Sequence, residues 1–135
     1  MAYTPNSVVT QTFSFEDFIF TMLVSGAVTV NDVGKAVALD LTAPNTVKLA
    51  GDGDAVFGRL ETFEDRTQEG IKVGAVSRKF RTILPTSAQL AVGDEVVGSA
   101  TAGAVKANPT QPEPGAGANV VVEVISATQA VVEKL

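Results

Sequence analysis

Three stretches of the chain carry side chains able to do chemistry. The first is Gly51-Asp52-Gly53-Asp54. Two carboxylates in a glycine turn resemble the opening of a calcium loop, D-x-[DN]-x-[DN]-G with a closing Glu. Asp52 and Asp54 fit the first two ligand positions, but Val56 stands at the third and Phe57 replaces the glycine. A polar turn is the expectation. The second stretch holds Glu61, Glu64 and Asp65. General acid–base work by paired carboxylates needs a pocket that drives their pKa values apart. No such pocket is legible around these three, so a solvated loop is expected. The third is Arg78-Lys79-Phe80-Arg81, three cations around an aromatic. Nucleic-acid readers use such pairs. With no second basic cluster nearby, a charged strand face is expected, one able to meet an acidic protein surface. The glycines at 51, 53 and 58 have the wrong spacing for a Walker or dinucleotide phosphate loop.

What the chain lacks narrows the chemistry further. It has no Cys, no His and no Trp. A disulfide framework, a thiolate nucleophile, a Ser-His-Asp triad and a His-based zinc site are all excluded. No catalytic, cofactor-binding or metal-ligating residue is assigned, and a non-enzymatic protein without cofactors is expected. Ten Lys and Arg against fifteen Asp and Glu give a net charge of −5. That balance lacks the basic footprint of phosphate binding, so neither nucleic acid nor an anionic membrane is an expected partner. No apolar run is long enough to span a bilayer. No positive charge precedes an apolar run in residues 1–6, so a soluble protein made in the cytoplasm is expected.

These side chains must be positioned by a framework, and its composition points to strands. Of 135 residues, 45% are apolar, mostly the 21 Val and 18 Ala, while only eight are aromatic. Branched Val and Thr favour pleated strands, and 12 Gly with 6 Pro supply turns. An all-β chain is expected: a small β-barrel or β-sandwich of short antiparallel strands, with an extended N-terminal arm over 1–12 and one β domain over 13–135.

Residues 13–24 hold four of the eight aromatics. Phe15, Phe18, Ile19, Met22 and Leu23 make a helical stripe, and Ser14 with Asp17 resembles a capping box. The same residues are strong β-formers and end at the turn Ser25-Gly26, so a strand is preferred. Further strands are read at Val33–Leu41 and Thr46–Ala50, a hairpin across Ala43-Pro44-Asn45. Others follow at Ala55–Phe63, with Val56, Leu60 and Phe63 inside, and from Ile71 through Leu84, stopping at Pro85. Residues 64–70 read as a charged loop, and residues 91–107 as turn, strand, loop, strand. Two strands close the chain over 120–125 and 130–135. Residues 108–119, rich in Pro and Gly, form one loop. Val30-Asn31-Asp32 before Val47-Lys48 is echoed by Val92-Gly93-Asp94 before Val105-Lys106.

The order of Val33-Gly34-Lys35-Ala36, Asn45-Thr46-Val47-Lys48-Leu49, Gly58-Arg59-Leu60-Glu61, Gly70-Ile71-Lys72-Val73-Gly74, Val92-Gly93-Asp94-Glu95 and Val105-Lys106-Ala107 resembles the capsid decoration (cement) proteins of tailed bacteriophages. The likeness runs over about residues 30–125, and the loop 108–119 departs from it. It implies a β-rich protein, commonly a homotrimer, on the outside of the mature head, clamping neighbouring copies of the major capsid protein. Its location would be the virion, after synthesis in the host cytoplasm. Tyr3, Thr4, Val8, Val9, Phe13, Phe15 and Phe18 are the expected capsid-binding residues. They lie on an arm too polar to fold alone and on the aromatic cluster that follows it. Two other readings stay open: another virion structural protein, such as a tail-tube or fibre-base domain, and a carbohydrate-binding module.

Overall fold

The computed structural model describes residues 13–14, 19–110, 113 and 115–134. The expected arm, 1–12, lies outside them. Twelve strands are described: β1 (Phe13–Ser14), β2 (Ile19–Val24), β3 (Ala36–Leu39), β4 (Thr46–Leu49), β5 (Gly58–Leu60), β6 (Glu64–Arg66), β7 (Ile71–Ser77), β8 (Phe80–Pro85), β9 (Val96–Gly98), β10 (Val105–Ala107), β11 (Asn119–Ser126) and β12 (Gln129–Lys134). Among the described residues, two short 3-10 turns, Val30–Asp32 and Thr67–Glu69, are the helical elements. The all-β expectation holds.

Five strands close on themselves in the order β2-β4-β3-β5-β7, with β7 pairing back onto β2. Closure removes the exposed edges of a sheet. The β2–β4 pair is parallel and the other four barrel pairs are antiparallel. Met22, Val24, Val28, Val37, Val47, Leu60 and Val76 fill the interior. Strand β6 adds to β7 beside β5. The expected Pro-Asn connection joins β3 to β4, and Asn45 takes the left-handed backbone that Asn tolerates (φ +51°).

A second sheet, β1-β8-β12-β11, packs on the outside of the barrel. The chain bends at Arg78-Lys79, so β7 belongs to the barrel and β8 to the second sheet. The single long strand read from 71 to 84 is thus one ribbon shared by two layers. Between the layers lies the second core: Ala36, Ala38, Ala50, Val56, Phe80, Leu84, Leu90, Val96, Val105, Val121, Ala130 and Val132. Strand β3 is buried on both faces, with Val37 in the barrel and Ala36 and Ala38 under the second sheet. Small side chains on its outer face let the second layer approach closely.

The β9–β10 hairpin seals one flank of this core. It is held to the barrel by backbone bonds: Ala36 N–H to Gly103 O at 3.0 Å, Gly103 N–H to Ala50 O at 2.9 Å, and Gly53 N–H to Gly98 O at 2.9 Å. A Cβ on Gly98 would overlap the Gly51 carbonyl, so glycine is required there by close approach.

Several boundaries differ from expectation. The strand read over Ala55–Phe63 is only Gly58–Leu60. Val56 precedes it and enters the second core, while Phe63 packs half-buried against the barrel core. The charged loop 64–70 contains β6 and a 3-10 turn. All three residues of β6 are exposed charges, the composition that blunts an edge strand. In β7 the buried alternation is Gly74 and Val76, whereas Ile71 is exposed. Ser14 lies in β1 and Ile19–Val24 is strand, as the preferred reading had it.

Candidate functional site

The candidate surface is the junction where the N-terminal segment meets the second sheet. Phe13 pairs with Arg81 and Ser14 with Phe80, antiparallel, so β1 is the outer neighbour of β8. Of the seven expected capsid-binding residues, Phe13 is placed by its backbone in β1. Tyr3, Thr4, Val8, Val9, Phe15 and Phe18 lie outside the described residues.

The edge that receives β1 can be read from the ladder. At its end Thr86 N–H donates to Thr128 O at 2.9 Å. Residues two apart in a strand face the same neighbour. Phe80, Thr82 and Leu84 therefore direct their backbone groups to β12, and Arg81 and Ile83 direct theirs to the edge that receives β1. From Pro85 onward the same side meets Val105 of β10, which accepts from Ser87 N–H at 3.1 Å. Next beyond Arg81 on this edge, Ile83 already has a partner on its carbonyl: Arg59 Nε donates to it at 3.3 Å. Arg59 projects from β5 on the outer face of the barrel. Its guanidinium also pairs with Glu61 at 2.7 Å and lies against Gly34, where backbone φ is +92°. Both partners of the ion pair are about one-fifth exposed. Sequence reasoning assigned Arg59 no role of its own. The available signal was a lone cation between Gly58 and Leu60, both buried, at an outward position of a barrel strand.

The basic run 78–81 splits into separate tasks instead of forming one charged face. Arg78 stacks over the Phe57 ring and donates Nε to Phe57 O. Arg81 approaches Glu133 at 3.8 Å. Phe80 is buried in the second core. Lys134, opposite Phe80 on β12, sits near both Arg78 and Lys79. Burial first, and then those two cations, hold its ammonium below the usual lysine pKa.

The carboxylate candidates are used in turns. Asp54 accepts from Gly51 N–H at 2.9 Å and faces Lys48 at 3.6 Å, while Asp52 pairs with Lys106 at 2.6 Å. The acidic turn thus sits between the lysines of the two echoed Val-Lys strands. Three turns share one closure. Asp32, Asp54 and Asp94 accept from the backbone N–H three residues earlier, at 2.8–2.9 Å, and each donates its own N–H back to that residue's carbonyl. Glu61 is held by Arg59, Glu64 by Arg66, and Asp65 by the Thr67 N–H and hydroxyl. The three do not converge on one point. Among the described residues, no group of three acidic side chains is placed to hold a metal ion.

An open depression of about 320 Å³ lies between β2, β4 and the start of β7, lined by Leu23, Thr46, Gly70, Ile71 and Lys72 among others. Its ammonium group is engaged, since Lys72 Nζ donates to Gly26 O at 2.9 Å. The loop over 108–119 is pinned by Glu95, which the sequence did not single out. Its carboxylate accepts from Asn108 Nδ2 at 2.6 Å and from Ala118 N–H at 3.2 Å. One side chain therefore gathers both ends of the loop.

No protein-family model matches the chain, and no curated protein or solved structure matches it.

Proposed function

We propose that this chain is a structural virion protein that decorates the outside of a mature tailed-phage head. In this reading it clamps neighbouring major capsid subunits and acts without catalysis or cofactor. The observation that carries the reading is the attachment of the N-terminal segment. A two-layer β body, stiffened by two cores, holds the chain at β1, the end strand of the second sheet, and the first twelve residues precede that point. Such a layout suits a protein whose work is contact area. A stiff body presents a surface, and an extended segment adds to a partner by strand pairing or by aromatic anchors. The resemblance in strand order supports the same reading and adds the expectation of a homotrimer. Location on the virion follows from this reading.

The test is co-sedimentation of the purified protein with mature and immature heads of its phage. Retention on mature heads is expected. Binding to neither form would refute decoration. Assembly of the protein alone into rings or tubes would favour the tail-tube alternative. For the carbohydrate module, the relevant feature is a platform of exposed aromatics. Among the described residues, Phe20 is the exposed aromatic, at 50%.

A further inference from the structure

We propose that Lys134 and Arg78 form a carboxylate-binding site, the point at which this chain grips an acidic segment of a partner protein. That the partner lies on a phage head rests on the decoration reading. The acid-binding site does not.

The register brings the site together. Lys134 closes β12 and stands opposite Phe80 of β8. Ala130 and Val132, four and two residues earlier, both belong to the second core. Alternation therefore turns Lys134 to the same side, at the end of the core-facing row. Arg78, two residues before Phe80, stands at the bend between the layers. Its guanidinium is fixed over the Phe57 ring, and its Nε is spent on the Phe57 carbonyl. Its terminal N–H groups remain for another acceptor.

Partnering sets Lys134 apart. The chain has ten lysines and arginines. Lys35, Lys48, Arg59, Arg66, Arg81 and Lys106 each pair with a carboxylate. Lys72 donates to the Gly26 carbonyl, Arg78 to that of Phe57, and Lys79 has a partner as well. Among the described residues, none accepts from Lys134. Burial and the nearby charges of Arg78 and Lys79 all disfavour its ammonium. An apolar side chain would fill the same place at less cost. Proteins keep a cost of this kind where function requires it. A carboxylate between Lys134 and Arg78 would accept from both and relieve their repulsion.

An acidic protein segment fits this site better than a polyanion does. The chain has fifteen acids and a net charge of −5, and Glu133 already holds Arg81 beside the site. Two cations cannot neutralise a run of phosphates against that charge. They are enough to set register on a protein surface.

The experiment is titration calorimetry of the full chain with an oligoglutamate peptide at low ionic strength, for wild type, Lys134→Met and Lys106→Met. Loss of Lys134 should weaken peptide binding by about fivefold or more, the worth of one charge-assisted hydrogen bond. Lys106→Met removes the same charge from an existing ion pair and should stay within about twofold of wild type. A thermal melt of each variant confirms folding, and Lys134→Gln replaces Met if that variant does not fold. Equal binding by wild type and a folded Lys134→Met overturns the site, as does an equal loss in Lys106→Met. Tighter binding of oligothymidylate than of oligoglutamate overturns the choice of partner. Head binding of the same variants is read separately. Weakened retention of Lys134→Met on mature heads is expected, and undiminished retention would remove the site from the head contact. A wild type that takes up the peptide through Lys134 but binds no head would keep the site and refute decoration.

Discussion

Arg78 sets its guanidinium 3.8 Å from the centre of the Phe57 ring and donates Nε to the carbonyl of the same residue at 2.8 Å. Phe57 stands just before β5, and Arg78 stands at the bend where β7 leaves the barrel to become β8. One side chain therefore ties the bend of the shared ribbon to the neighbouring barrel strand. A charged hydrogen bond and a cation–π contact act together at a half-buried site. Arg78→Ala should cost about 2–3 kcal/mol in urea denaturation, and Arg78→Lys should recover less than half. An effect below about 0.5 kcal/mol for the alanine variant would mean that the contact is incidental.

The joint between the barrel and the β9–β10 hairpin makes a steric prediction. Gly98→Ala would drive a Cβ into the Gly51 carbonyl, and neither backbone can yield without opening the second core. A loss of about 2–3 kcal/mol is expected. Gly26→Ala is the control. A Cβ there meets nothing within 4 Å, so the change should stay within about 0.5 kcal/mol.

The three Asp-closed turns should contribute independently. Asp54→Ala and Asp94→Ala are each expected to cost about 1 kcal/mol, as loss of a capping acceptor does. Their double variant should be additive within about 0.5 kcal/mol.

Asp32 adds a pH dependence. Burial raises its pKa, but the Lys35 ammonium, the Thr29 amide and the Thr29 hydroxyl together outweigh it and hold the carboxyl below its ordinary 3.8. Its folded-state pKa is depressed. The associated stability is thus present above the unfolded value and lost as pH falls through the folded one. Denaturation midpoints should drop below about pH 4. Asp32→Asn should be less stable at neutral pH and flatter in the acid range. An identical acid slope in that variant would exclude Asp32 as a source.

Lys134 runs the other way. Its ammonium is penalised by burial and then by Arg78 and Lys79, so the folded pKa lies below the unfolded 10.5. A depressed lysine costs stability while charged. That cost is relieved as pH rises through the folded value toward the unfolded one. Lys134→Met should raise the unfolding free energy at neutral pH by a small margin, under about 1 kcal/mol given its partial exposure. The gain should shrink in alkaline buffer.

Much of the framework was legible in the residues. Val and Thr runs between Gly, Pro and Asn turns marked β4 and the last two strands almost to the residue, while the first strand of the hairpin, read over Val33–Leu41, is Ala36–Leu39. The ribbon from Ile71 to Leu84 was read as one element from its two runs of alternation, with Ile71, Val73, Ala75 and Ser77 taken as the inward set of the first, although Gly74 and Val76 are the buried positions there. What alternation could not show was its transfer between layers, since the bend at Arg78-Lys79 is made by tertiary contacts with Phe57 and not by a turn residue. The burial of β3 on both faces was hidden for a similar reason. Ala-Val-Ala-Leu reads as apolar throughout, and only the second sheet decides what Ala36 and Ala38 touch. Arg59 and Glu95 escaped notice because their partners, Ile83 and Asn108, are 24 and 13 residues away. The acidic turn at 51–54 was read correctly as a turn, from Val56 and Phe57 at positions where a cation loop needs a ligand and a glycine.

The central claim is that the segment before Phe13 fastens a folded β body to a phage head. Co-sedimentation of the full chain and of a variant lacking residues 2–12 with mature heads tests it most directly, each protein shown by circular dichroism to be folded. The account predicts that the full chain pellets with the heads and that the shortened chain stays in the supernatant at the same melting temperature. A shortened, folded chain that binds mature heads as well as the full one would contradict it.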